Sequence, residues 1–92
     1  MITIQDVISL AVTREDGAKQ TIIESDEFVI SVVGGRQGLY GDFENTFEMA
    51  LMSKDKKTFV TRHYFPELND DVMGWKSIQE TERIINDLIS PS

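Results

Sequence analysis

Apolar residues at every second position of residues 46–53 are the feature that most constrains how this chain can fold. Phe47, Met49 and Leu51 fall on one side of an extended segment, and the residues between them fall on the other. A helix repeats its faces every 3.6 residues, so a period of two is incompatible with one. This segment therefore predicts a β-strand.

The same alternation, together with many β-branched residues, predicts four further strands. In the first of them, Ile8, Leu10 and Val12 fall on one face. Asp16-Gly17 follows it, and this pair is typical of a tight hairpin turn because both residues tolerate positive φ. The five predicted strands cover residues 7–13, 20–25, 28–33, 46–53 and 58–65.

A C-terminal helix is predicted over residues 77–89. Ser77 and Glu80 stand at the spacing of a capping box, in which each satisfies an N–H group of the first turn. Apolar residues then recur at roughly 3.6-residue spacing, at Ile78, Ile85, Leu88 and Ile89.

These elements predict an α+β fold, a mainly antiparallel sheet of about five strands with one C-terminal helix packed on one face. The chain of 92 residues has the length of one domain. Within it we place the sheet at residues 7–65, an acidic loop at 66–71 and the helix at 77–89.

One helix covers only one face of such a sheet, and the other face is also apolar. This face either curls into a half-barrel or serves as a dimer or partner surface. A homodimer through it is therefore one expectation. Its predicted members are Val29, Val33, Ala50, Met52, Val60 and Tyr64.

Charge and composition exclude several classes of function. The net charge of −7 repels phosphate backbones, so direct nucleic-acid binding is disfavoured. The chain has no cysteine, which excludes disulfides and thiolate metal sites. Its apolar runs are far shorter than the roughly 20 residues of a membrane span, and no signal peptide is recognisable. We expect a cytoplasmic protein that has no membrane contact.

A glycine-rich segment at residues 34–45 is the first candidate site. The backbone of Gly34, Gly35 and Gly38 with the Arg36 side chain would suit an anion. The spacing matches neither nucleotide-binding glycine motif, and the next segment is a strand instead of a helix. The glycines otherwise serve turns and a β-bulge, or the loop recognises a partner.

No catalytic, metal or cofactor site is predicted. His63 is the only histidine, and a single histidine cannot form a His-rich metal site. The acidic loop holds Glu67, Asp70 and Asp71, but their spacing does not match a calcium-binding loop. These carboxylates are either solvated or steer a partner.

We therefore expect a small, acidic, non-enzymatic interaction protein that docks on another protein with a basic surface. Acidic residues Glu67, Asp70 and Asp71 would steer it, and exposed aromatic anchors would hold it. The predicted anchors are Tyr40, Phe43 and Trp75.

The small size, acidity and lack of catalytic motifs resemble small accessory proteins of phages and mobile elements, which implies an inhibitor or regulator. The alternative is a small-ligand or anion-binding domain that uses the glycine-rich loop. Its predicted binding residues are Gly34, Gly35, Arg36, Gly38 and His63.

Overall fold

In the part of the chain that the structure describes, five strands pair in chain order into one antiparallel sheet, and two of the three helices pack together on one of its faces. The computed structural model describes residues 1–35 and 41–89. This architecture confirms the α+β prediction. The elements are α1 (Ile4–Ser9), β1 (Val12–Thr13), β2 (Lys19–Glu24), β3 (Val29–Gly34), β4 (Thr46–Met52), α2 (Thr61–Tyr64), β5 (Met73–Ser77) and α3 (Ile78–Ile89).

The central strand β3 sets the two faces of the sheet. Cross-strand partners share a face, and Ile30 lies between Ile23 of β2 and Leu51 of β4. Val32 and Met49 form the next pair on this face, which belongs to the hydrophobic core. The core is completed by buried residues from both helices and the loops, including Ile4, Val7, Phe28, Phe43, Phe47, Met73 and Ile85.

The predicted C-terminal helix is present, and its capping box forms as expected. The Ser77 N–H donates to the Glu80 carboxylate at 3.0 Å, and the Glu80 N–H donates to Ser77 Oγ at 3.1 Å. The hydrogen bond from the Ser77 backbone N–H, followed by one from the Ser77 side chain, favours the ionised carboxylate and lowers the pKa of Glu80. Ile85, on the apolar face of α3, is buried in the core.

The predicted strand over residues 7–13 is wrong, because most of this segment is helical or irregular. Thr3 caps α1: its Oγ1 accepts the Asp6 N–H at 3.3 Å, and its own N–H donates to the Asp6 carboxylate at 2.9 Å. Ile4 and Val7, three residues apart, then share the buried face of the helix. The three residues that were predicted to share one face of this strand are exposed, namely Ile8, Leu10 and Val12.

Side-chain hydrogen bonds from α3 hold α1 and the residues before it in place. The Asn86 side chain accepts the Ile2 N–H at 2.8 Å and donates to the Ile2 carbonyl at 2.7 Å. Glu82 accepts the Ile4 N–H at 2.6 Å. The start of the chain is therefore tied to the C-terminal helix.

The predicted strand over residues 58–65 is also wrong. Thr61 Oγ1 accepts the Leu51 N–H at 2.8 Å and donates to the Leu51 carbonyl at 3.3 Å. The Thr61 hydroxyl thus bonds to the N–H and carbonyl of Leu51, with which a neighbouring strand would otherwise pair. The chain therefore does not continue as a strand and turns into α2. Val60 and Tyr64 consequently pack against the core and do not join the second sheet face.

The fifth strand lies at Met73–Ser77, outside the five predicted strands. β5 pairs with β4 through Thr46–Ser77, Phe47–Lys76 and Met49–Met73, with a register irregularity between Phe47 and Met49. The irregular strand includes Trp75 at a φ of 56°. A bulge of this kind disturbs the alternation from which strands are recognised in a sequence.

Buried threonines provide a direct test of this packing. Thr81 is fully buried, and its Oγ1 has no hydrogen-bond partner among the described residues. Replacing an unsatisfied buried hydroxyl by a methyl of the same shape removes a desolvation cost. We expect Thr81→Val to raise the free energy of unfolding by about 1 kcal/mol in urea denaturation.

The matched control is Thr61→Val, which makes the same chemical change where the hydroxyl is bonded to Leu51. It should lower the free energy of unfolding by about 1–3 kcal/mol, since the Leu51 N–H loses a partner. Destabilisation by both substitutions to the same extent would contradict this account of α2 and α3.

Candidate functional site

The described glycines of the glycine-rich segment serve close backbone packing. A Cβ at Gly34 would lie 2.8 Å from the Phe43 nitrogen, and one at Gly41 would lie 2.8 Å from Phe47 Cα. Gly35 adopts a φ of 81° and donates its N–H to the Gly41 carbonyl at 3.1 Å. Because this N–H group is already hydrogen-bonded within the protein, the observation supports the interpretation that the glycines serve turns. The predicted residues Arg36, Gly38 and Tyr40 lie outside the described residues.

The expectation that Phe43 is an exposed anchor is wrong. Its side chain is 3% exposed and belongs to the core. The ring packs edge-on against Phe47, with 5.3 Å between ring centroids. Phe43 therefore contributes to stability, and a partner cannot reach it without opening the loop.

Asp42 organises the turn between this loop and β4. Its Oδ1 accepts the N–H groups of Glu44 and Asn45 at 2.8 Å and that of Thr46 at 3.0 Å. These hydrogen bonds favour the ionised form and lower the pKa of Asp42 to about 2. The carboxylate therefore has a structural role at the start of β4.

The structure does not bring His63 to the glycine-rich loop. His63 lies on α2 against Tyr64, with 5.2 Å between ring centroids, and Tyr64 packs on Phe28 at 4.7 Å. Phe28 precedes β3, whereas Gly34 is its last residue. A six-residue strand spans about 20 Å, so the predicted ligand site is not assembled from these two parts.

The other predicted partner-binding residues lie on the surface. Glu67 and Asp70 are exposed, and Asp71 accepts a hydrogen bond from Arg62 Nε at 3.3 Å. Trp75 is 63% exposed, in the left-handed conformation described above. Its exposure suits an anchor, whereas the charge of Asp71 is partly compensated by Arg62.

A groove that joins three distant segments is a candidate site on the described surface. It lies where the turn before β3, the helix α2 and the end of α3 meet, and its volume is about 300 Å³. We call it the acidic groove. Its principal lining residues are Asp26, Glu27, Phe28, Tyr64, Asp87 and Leu88.

Two aromatic rings and three carboxylates determine the chemistry of the acidic groove. The Tyr64 hydroxyl donates to Glu27 at 3.3 Å, and the Tyr64 ring stands edge-on to Phe28. Burial, followed by the negative charge of Glu27, raises the pKa of Tyr64, so the phenol stays protonated and continues to donate. Apolar rings beside carboxylates suit a guanidinium or ammonium group with its methylene chain.

Sequence reasoning missed this groove because its parts are far apart in the chain. Asp26 and Glu27 were recognisable only as an acidic turn, and Asp87 only as a polar residue of the helix. The sequence pattern predicts Tyr64 in a strand on the sheet face away from the helix, whereas Tyr64 lies in α2 and packs against the core. The sequence feature that comes closest to indicating the groove is the 3.6-residue spacing of apolar residues in the C-terminal helix, whose last turn contains Asp87.

Metal and membrane signals are absent from the part of the chain that the structure describes. In residues 1–35 and 41–89, no group of three or more His, Asp and Glu side chains is placed to hold a metal ion. Across the same residues, no helix has the length and apolarity needed to cross a membrane.

No protein-family model, curated protein or solved structure matches this chain. Inferences about its function therefore depend on the geometry and charge of its own sites. A fold class alone does not determine function, since one architecture carries many activities.

The close packing at Gly41 yields a stability prediction. Gly41→Ala should lower the free energy of unfolding by about 2–3 kcal/mol, because the new Cβ meets the β4 backbone. Gly17→Ala is the control: Gly17 has a φ of 88° and open space around it. At Gly17, an alanine would incur only the cost of a left-handed backbone conformation, which is about 1 kcal/mol. A larger loss at Gly17 in chemical denaturation would contradict the packing role of Gly41.

The Asp42 turn yields a pH prediction. Its pKa is lowered to about 2 from the ordinary 3.8, so its stabilising effect is complete above pH 3.8 and is lost as the pH falls toward 2. The difference in urea midpoint between wild type and Asp42→Ala should therefore shrink below pH 4. Titration of the Asp42 carboxyl by NMR with a midpoint near 3.8 would contradict the turn geometry.

Proposed function

We propose that this protein is a non-enzymatic interaction module that binds a basic segment of another protein in the acidic groove. The observation that carries the proposal is the convergence of Asp26, Glu27 and Asp87 around Phe28 and Tyr64. The net charge of −7 favours encounter with a basic surface and disfavours nucleic acid.

The position of Asp87 supports this proposal. It lies in the last turn of α3, where unsatisfied carbonyl groups already produce a negative potential. An acidic residue at a helix C-terminus is locally unfavourable, typically by about 0.3–1 kcal/mol. A cation bound in the groove would compensate both the carboxylate and the helix end.

The size and walls of the acidic groove indicate what it would hold. A volume of about 300 Å³ admits one or two long side chains. The methylene groups of an arginine or lysine would lie against Phe28 and Leu88, with the charged group near Glu27 and Asp87. Such a contact resembles the electrostatically complementary interfaces that give specificity and rapid association.

Exposed acidic residues outside the groove would add to this attraction. We propose that Glu67 and Asp70 steer the partner and that Trp75 provides a separate apolar contact. A protein that covers a basic surface competes with the anions that the surface would otherwise bind. We therefore propose the role of a cytoplasmic inhibitor or regulator, of the type found among small accessory proteins of phages and mobile elements.

The proposal is tested with a nona-arginine peptide and uniformly ¹⁵N-labelled protein. Titration should shift the backbone amides of residues 26–28, 64 and 87–89 in NMR spectra, and high salt should weaken the binding. The double variant Glu27→Gln/Asp87→Asn should bind about two- to thirtyfold more weakly, because each lost charge removes an attraction of about 0.2–1 kcal/mol.

The control variant Glu15→Gln/Glu44→Gln removes two exposed acidic residues that do not line the groove. It has the same net charge as the groove variant, so a nonspecific charge effect would weaken binding equally in both. Equal loss in the two variants, or shifts spread over all acidic loops, would overturn the proposed site.

A further inference from the structure

The strand β2 is longer than the strand that pairs with its outer side. Within the described part of the chain, β1 pairs with β2 only through its two residues, opposite Lys19 and Gln20. On its inner side, β2 pairs with β3 along its whole length. Residues 21–24 of β2 therefore form a sheet edge on the β1 side, and such an edge is a template for further strand pairing.

The residues before β1 continue its register along this edge. The two strands run in opposite directions, so each step back along β1 corresponds to one step forward along β2. An extension of β1 would place Leu10 opposite Ile22. Two residues further back, Ile8 would lie opposite Glu24. The alternation that predicts a strand over residues 7–13 therefore has a place in the sheet, although the segment is mostly helical or irregular.

The extension would add apolar side chains to the sheet face away from the core. Val12 lies opposite Gln20, which in turn lies opposite Val33 on this face. Leu10 and Val12 are 62% and 63% exposed, and extension would give Leu10 a cross-strand contact with Ile22. The residues of β3 and β4 that were predicted for this face do share it, namely Val29, Val33, Ala50 and Met52.

The helix α1 depends on its contacts with the rest of the fold. It has six residues, and isolated helices of that length are marginal in water. Ile4 and Val7 are buried in the core, and the Thr21 hydroxyl donates to the Val7 carbonyl at 2.6 Å. Glu82 and Asn86 of α3 bond to the backbone at the start of the chain. The helical form is stable because these contacts exist, and extension would break them.

We infer that residues 7–11 are a strap with two arrangements. In the main one they belong to α1 and its C-terminal cap, and the outer edge of β2 is open at residues 21–24. In a minor one they extend β1, close this edge and withdraw α1 from α3. Whatever competes for the Glu82 and Asn86 side chains would favour the extended arrangement, because these side chains stabilise only the helical one. The strap is separate from the acidic groove and does not depend on it.

Because the chain has no cysteine, disulfide trapping tests the strap without interference from native thiols. The variant Ile8→Cys/Glu24→Cys replaces two exposed residues that lie opposite each other only in the extended arrangement. In the helical one, the Val7 carbonyl lies at Thr21, three residues from Glu24. Three residues of strand span about 10 Å, whereas the Cβ atoms of a disulfide are about 4 Å apart. We expect the two thiols to form an intrachain disulfide under native conditions.

The substitution Asn86→Ala removes two hydrogen bonds that hold the helical arrangement. It should speed this oxidation at least about threefold. The positive control is Val12→Cys/Gln20→Cys, a pair that is opposite in both arrangements. Its oxidation rate should not change with Asn86→Ala. The second control, Gln5→Cys/Glu24→Cys, starts from the same helix out of register and should oxidise at least about tenfold more slowly than the Ile8 pair.

NMR spectra of the oxidised Ile8→Cys/Glu24→Cys variant should retain the amide shifts of β4 and α3 and show strand-type shifts at residues 7–11. Loss of the β4 and α3 shifts would overturn the inference, because the disulfide would then have formed in the unfolded chain. Equal oxidation of the Ile8 and Gln5 pairs would also overturn it, since the helix would then only fray. So would disulfides between two chains, because a second copy would then occupy the edge of β2.

Discussion

The pairing of β3 with β2 and β4 is the interaction on which the rest of the structure depends. Every residue of β3 is buried, although the helices among residues 1–35 and 41–89 pack on one side of the sheet. The register decides that Ile30 and Val32 face the core while Ser31 and Val33 face the opposite side. A slip of one residue would exchange the two faces and expose the core set, so apolar burial strongly favours a single register.

The acidic groove follows from this pairing. It forms where the chain enters β3, because Phe28 there meets Tyr64 of α2 and the end of α3. Its lining is rich in exposed carboxylates, among them Glu27 and Asp87.

Short-range patterns predicted the parts of the fold that depend on neighbouring residues. Alternation identified β2, β3 and β4, and the Ser77–Glu80 pair marked the start of α3 to within one residue. The failures occurred where one side chain replaced backbone pairing, as the Thr61 hydroxyl does at Leu51. The acidic groove combines residues about sixty positions apart, and no local pattern relates Glu27 to Asp87.

The central claim is that the acidic groove accepts a cationic side chain between its rings and carboxylates. Intermolecular NOEs between labelled protein and nona-arginine test it most directly. The account predicts NOEs from arginine δ protons to the rings of Tyr64 and Phe28 and to the methyl groups of Leu88. Contacts confined to the loop at residues 66–71 or to Trp75, with none to these rings, would contradict it and place the docking surface elsewhere.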